Sequence, residues 1–183
     1  MSARMMARLA CVVGIAICTF GYSRCAFVSG DPPPDIINPP PVGGENFNTH
    51  LTLHNSNGTQ TTDFVMGEPI RFDLETLNHS TRTQTLHFPD TQIYDFWVFD
   101  ALTYNVRWRW SADKAFLQVA TELTFLPNTS KRYVVTWDGV RANGGQLPAG
   151  SYVARGIIVS DTFTGEPMAT NELASPLVTF TVH

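Results

Sequence analysis

The chain has 183 residues, of which 43% are hydrophobic and 15% charged, with a formal net charge of −4. That length accommodates one domain of ordinary size with its own core. An acidic balance with no basic stripe argues against nucleic acid and anionic membrane surfaces as partners.

The N-terminus places Arg4 and Arg8 before LACVVGIAICTF, an apolar run of twelve residues from Leu9 to Phe20. A short basic stretch followed by such a run is a secretory signal pattern, and it is shorter than the roughly 20 residues of a membrane-spanning helix. Residues 1–30 are therefore expected to be a signal peptide, cleaved between Cys25 and Gly30, with the mature domain secreted or periplasmic. The alternative is a chain tethered to the membrane through this terminus. The three cysteines, Cys11, Cys18 and Cys25, all lie in this segment, so a chain cleaved beyond them has no disulfide framework and no thiol chemistry. Such cleavage removes Arg4, Arg8 and Arg24 and no acid, leaving nine bases against sixteen acids, a net of −7. Residues 31–45, DPPPDIINPPPVGGE, hold half of the prolines. A segment so poor in amide donors is expected to be an extended linker, ahead of a domain over residues 46–183.

From Phe47 onward the hydrophobic period is two. FNTHLTLHN alternates Leu51 and Leu53 with polar residues, and PIRFDLETLN sets Ile70, Phe72, Leu74 and Thr76 against Arg71, Asp73 and Glu75. TQTLHF, YDFWVFD, NVRWRW, KRYVVTW, SYVARGIIVS and PLVTFTV follow, separated by turn signals at Asn57-Gly58, Pro89-Asp90, Asp138-Gly139 and Asn143-Gly144-Gly145. Many short strands with almost no helical pattern predict an all-β sandwich or barrel. One helical turn is expected at SADKAFLQ, with Ser111 as its N-cap.

Tyr94–Asp100 and Asn105–Trp110 read as a hairpin with two registers one residue apart. Burial decides between them. The chosen register sets Tyr94, Phe96 and Val98 opposite Trp110, Trp108 and Val106, with both tryptophans in the core. It sets Asp95, Trp97 and Phe99 opposite Arg109, Arg107 and Asn105. An Asp95–Arg109 ion pair and a guanidinium over Trp97 are expected. Trp97, Phe99, Arg107 and Arg109 thus become candidates for a partner-binding face, unless a second layer covers them.

The chemistry that enzymes need is sparse. No G-x-S-x-G elbow, nucleotide-binding pattern or calcium loop is present. His50 and His54 are four apart, which on a strand is roughly 13 Å and too far for one ion. The chain is read as a non-enzyme with no cofactor and no metal. Three N-x-[ST] triplets begin at Asn57, Asn78 and Asn128; used as glycosylation sites, they would mark surface loops.

YDFWVFD, VRWRWSADKAFLQ, LPNTSKRYVVTWDG and LPAGSYVARGII, in that order, resemble the BsuPI family of intracellular proteinase inhibitors. The resemblance covers roughly Phe47 to Val159, with LPNTS where the family has LPGES. It implies an immunoglobulin-like antiparallel β-sandwich and inhibition of a serine proteinase. Tyr94, Phe96, Trp108, Trp110, Phe116, Tyr133 and Trp137 then fit the framework. Inhibition would proceed by occlusion with an exposed loop on a rigid scaffold. Ser111–Lys114 and Val140–Ala149 are the candidate loops, and Lys114 and Arg141 the candidate contact residues for a trypsin-like pocket. The competing expectation is an exported immunoglobulin-like module that binds cell-envelope protein or glycan.

Overall fold

The computed structural model describes residues 46–141, 143–161, 168 and 171–183, all within one compact unit, Pro34–His183. The signal-peptide and linker readings, residues 1–30 and 31–45, lie outside the described residues.

Among the described residues ten strands follow in chain order: β1 (Phe47–His54), β2 (Asp63–Phe64), β3 (Ile70–Asn78), β4 (Gln84–Phe88), β5 (Tyr94–Asp100), β6 (Val106–Arg109), β7 (Thr121–Phe125), β8 (Ser130–Trp137), β9 (Gly150–Ile158) and β10 (Val178–Val182). Every stretch read as a strand forms one. β2 and β7 form without a strand pattern in the sequence. β2 is two residues long, too short to show a period, and in TELTF the alternation rests on Leu123 and Phe125 alone.

One sheet has the order β1-β3-β8 and the other β2-β10-β9-β5-β6; β4 and β7 form a separate antiparallel ribbon. The pairings are antiparallel, except that β2 runs parallel to β10. Assigned in chain order, β1, β3 and β8 take the A, B and E positions of an immunoglobulin-like sandwich, and β5, β6, β9 and β10 take C, C′, F and G. After β1 the chain crosses to the other sheet, where β2 completes the edge beside β10.

The alternation explains the layers. In β3, Ile70, Phe72 and Leu74 turn inward and are buried. In register, Leu74 pairs with Leu51 and Phe72 with Leu53. The Phe72 ring lies 5.5 Å from Phe96 and 5.4 Å from Trp108 across the interface. Gly156 lets the layers meet: a Cβ there would stand 2.5 Å from Leu74 Cδ1. The ribbon closes one side of the same core through Leu86, Phe88 and Phe125, with Phe125 edge-on to Phe47 at 5.2 Å.

A second immunoglobulin-like feature follows from LPAGSY. Near the start of β9, the Tyr152 hydroxyl donates to Pro148 O at 2.7 Å, which is the tyrosine-corner hydrogen bond of such sandwiches. Gly150 makes the corner possible, with a φ of 155° that suits glycine.

Two of the buried polar residues lie on β3 and are held by other segments. Asp73 is buried, braced by Arg132 through Nε and Nη2 and by Arg71 Nη2 at 3.2 Å. The hydrogen bonds from Arg132 hold its carboxyl below the usual carboxylate range. Asn78, the start of one N-x-[ST] triplet, is also buried. Its Nδ2 donates to Arg82 O at 2.8 Å and to Leu126 O at 3.1 Å. It joins the start of β4 to the end of β7 and is no surface loop.

Candidate functional site

The aromatic hairpin β5–β6 forms, but its register differs from the expected one. Trp97 pairs with Arg109, Val98 with Trp108 and Phe99 with Val106, with a bulge between Val98 and Phe99. The extra residue on β6 is Arg107. At Trp108 the slip from the expected register is two residues, which preserves the faces. Trp108 therefore still turns toward the core, and Arg109 still shares a face with Trp97.

Asp95 organises that second face. It is 1% exposed and accepts Arg109 Nε at 2.6 Å, Ser111 Oγ at 2.7 Å and Ser111 N at 3.1 Å. The expected ion pair is present, but on a buried carboxylate rather than at the surface. The Arg109 guanidinium lies 4.2 Å above the Trp97 ring, as expected. Ser111 lies inside a 3-10 turn, Trp110–Asp113, preceded by Arg109 at the N-cap position with no side-chain cap. The expected N-cap role of Ser111 is thus corrected: Asp95 takes its hydroxyl. Asp95, Trp97 and Arg109 line a cleft of about 260 Å³ with Pro89, Ile157 and Val159.

Phe99 does not belong to an exposed face. It is 2% exposed and stacks on the half-buried Trp97 at 5.8 Å. Arg107 leaves the arginine face altogether. As the bulged residue it reaches back to Asp100, with Nη2 donating to Oδ2 at 2.7 Å. Only Trp97 and Arg109 of the four candidates come together at the cleft.

The two tryptophans of the WRW stretch pack against the core without being fully buried. Trp108 stacks on Trp137 at 4.8 Å. Trp110 stacks on Tyr94 at 4.6 Å, which in turn lies 4.8 Å from Tyr133. β6 is the sheet's edge strand, so one flank of these indoles stays open. The Trp137 Nε1–H closes the W-D-G turn by donating to Val140 O at 2.7 Å.

Neither candidate loop presents its cation freely. Lys114 Nζ pairs with Asp113 at 3.2 Å and lies 4.9 Å from the Trp110 ring. Arg141 Nε donates to Gln146 O at 3.1 Å and to Gly145 O at 3.4 Å, within its own turn. Among the described residues no group of His, Cys, Asp and Glu could hold a metal ion. His54 hydrogen-bonds Thr52 at 3.0 Å and lies 3.9 Å from Asp73.

Sequence reasoning missed the β5–β6 tip, Ala101–Asn105. Asp100 Oδ1 accepts from Leu102 N at 3.1 Å, Thr103 N at 3.0 Å and Thr103 Oγ1 at 3.0 Å. Asp100 O accepts from Tyr104 N at 2.9 Å, and Asp100 N donates to Asn105 O at 3.0 Å. Tyr104 takes a left-handed φ of 55° to close the turn. The Arg107 hydrogen bond, with those from Thr103, holds the Asp100 carboxyl well below the usual range. Leu102 stands out of this clamp, 90% exposed. The turn was legible as a connection, but a buttressing Asp at its first position leaves no periodic signal.

A family model for BsuPI, the intracellular proteinase inhibitor, matches residues 56–163. The chain belongs to this family. The match spans the hairpin, the W-D-G turn and the tyrosine corner, so the framework described above is the BsuPI framework. It also corrects the expected location: the family is described as intracellular, which overturns the secreted, periplasmic and membrane-tethered readings. Among the described residues no helix is long and apolar enough to cross a membrane.

No curated protein matches the chain. Solved structures give distant likenesses. A β-glucosidase from Erythrobacter marinus is 10% identical, with a TM-score of 0.41 over 75% of this chain and 15% of that one. The Pseudomonas fluorescens alkylpurine DNA glycosylase AlkC, bound to DNA with an abasic site analog, is 8% identical at 0.41 over 74% of this chain and 30% of its own. The CARDB domain of a Pyrococcus furiosus protein, in complex with di-metal ions, is 9% identical at 0.38 over 76% and 96%. Likenesses this weak carry no argument about this BsuPI chain.

Proposed function

We propose that this domain inhibits a serine proteinase by occluding the enzyme's substrate cleft with an exposed loop on a rigid sandwich. The observation that carries the reading is the family match over residues 56–163, which runs from β2 to β9 and so includes strands of both sheets. The scaffold is suited to it: two packed sheets fix the loops between strands, and an ordered loop loses less conformational freedom on binding. The cleft lined by Trp97, Arg109, Asp95 and Asp161 offers an aromatic and polar surface for a partner.

The test is residual activity of a panel of serine proteinases, with apolar, basic and small specificity pockets, after incubation with the full chain at micromolar concentration. The reading expects at least one enzyme to lose activity and to form a complex in size-exclusion chromatography. No inhibition and no complex across the panel would remove it.

A further inference from the structure

We infer that the β5–β6 tip meets the proteinase and that Leu102 enters an apolar specificity pocket. This rests on the inhibitor reading above and deepens it by naming the contact element and the class of enzyme.

An exposed leucine alone means little. Leu102 differs in three ways. It is the most exposed of the large hydrophobic residues described, at 90%, and Tyr104 and Val106 beside it are each 51% exposed. These three form an apolar knob at the end of a hairpin. The knob is also held in place: the Asp100 carboxylate takes three hydrogen bonds from Leu102 and Thr103, and Arg107 fixes its other oxygen. Docking therefore needs little loop ordering. Lastly, the knob is uncharged. No residue from Ala101 to Val106 carries a charge, and Asp100 and Arg107 neutralise one another. A neutral apolar side chain complements an apolar pocket and leaves the carboxylate of a trypsin-type pocket unpaired. Lys114 and Arg141, the basic alternatives, are engaged within their own loops.

The same clamp explains how such a loop resists cleavage. A scissile segment must lie extended across a proteinase cleft. Here the Tyr104 N to Asp100 O, Asp100 N to Asn105 O and Ala101 N to Ser151 O hydrogen bonds hold the backbone as a closed turn. Leu102 fills the pocket while its carbonyl stays away from the nucleophile. No bond forms or breaks.

The test compares the full chain with Leu102→Ala, Leu102→Asp, Asp100→Ala, Lys114→Ala and Arg141→Ala. Each is assayed against a chymotrypsin-type and a trypsin-type enzyme with small peptide substrates. Thermal melts confirm folding, which Leu102 substitutions should leave unchanged because the side chain is outside the core. The expected result is inhibition of the apolar-pocket enzyme, weakened on the order of tenfold by Leu102→Ala and further by Leu102→Asp. Lys114→Ala and Arg141→Ala should inhibit as the parent does. Asp100→Ala should be cut within residues 101–105, seen by mass spectrometry. If the parent inhibits and Leu102→Asp inhibits equally well, the inference is overturned while the inhibitor reading stands. Leu102-dependent self-association in sedimentation, with inhibition unaffected by Leu102→Asp, would overturn it too and assign the knob to a second copy. A parent chain that inhibits neither enzyme removes this inference; failure across the whole panel removes the inhibitor reading as well.

Discussion

The buried carboxylate of Asp95 receives Arg109 Nε at 2.6 Å, and so ties β5 to the far end of its neighbour, the edge strand β6. The same group takes both the hydroxyl and the amide of Ser111. One residue therefore fixes the edge strand, the 3-10 turn and the guanidinium above Trp97. Asp95→Ala leaves the Ser111 donors buried without their acceptor and is expected to destabilise the fold by about 3 kcal/mol in urea titration. Arg109→Ala leaves the buried carboxylate its Ser111 donors and should lose less, about 2 kcal/mol. Equal losses from the two would show that the ion pair, rather than the Ser111 contacts, dominates.

The tyrosine corner should behave as a local latch. Tyr152→Phe removes the hydroxyl that donates to Pro148 O at 2.7 Å and keeps the ring against Phe180. The expected loss is about 1 kcal/mol, with the far-UV spectrum unchanged. A loss near zero would mean that Gly150 and the ring packing set the corner by themselves.

Trp108 connects the edge strand to the core through its stack on Trp137 and its contact with Phe72. Trp108→Ala is expected to lose about 2–3 kcal/mol, below the range for a fully buried tryptophan because one flank is open. Near-UV circular dichroism should lose the signal of the stacked indoles in the same variant.

Alkaline stability should follow Tyr133. Burial, with Tyr94 beside it, pushes its hydroxyl up from 10.0 to about 12. A group whose pKa is raised on folding stabilises fully below the unfolded value and loses that contribution as pH rises through the folded one. The melting temperature is therefore expected to fall between about pH 10 and 12. Tyr133→Phe should flatten part of that decline, and an unchanged slope would show that Tyr133 is as acidic when folded as when unfolded.

How much of this was legible in the sequence varies by kind of feature. Burial faces were: Ile70, Phe72 and Leu74 turn inward as their spacing requires, and Trp97 shares a face with Arg109. The register was not: the turn already sets Phe99 opposite Val106 rather than Asn105, the bulge at Arg107 adds one residue more, and neither shift alters composition or alternation. The fate of Phe99 was not either, since its strand period gives the face and not whether that face is covered. Lys114 and Arg141 drew attention as cations, yet Asp113 and the Gly145 and Gln146 carbonyls already hold them. Leu102 drew none, because its exposure depends on hydrogen bonds to Asp100 that no periodicity encodes. The apolar N-terminal run, read as an export signal, gave a location that the family's intracellular description overturns.

The most direct measurement of the whole account is a titration of a susceptible serine proteinase of known active-site concentration with the full chain, followed by mass spectrometry of the mixture. The account predicts a linear loss of activity to a one-to-one endpoint, with the chain recovered intact. Activity that persists at molar excess, or that returns as the chain is cut to fragments, would show a substrate or a bystander and would contradict it.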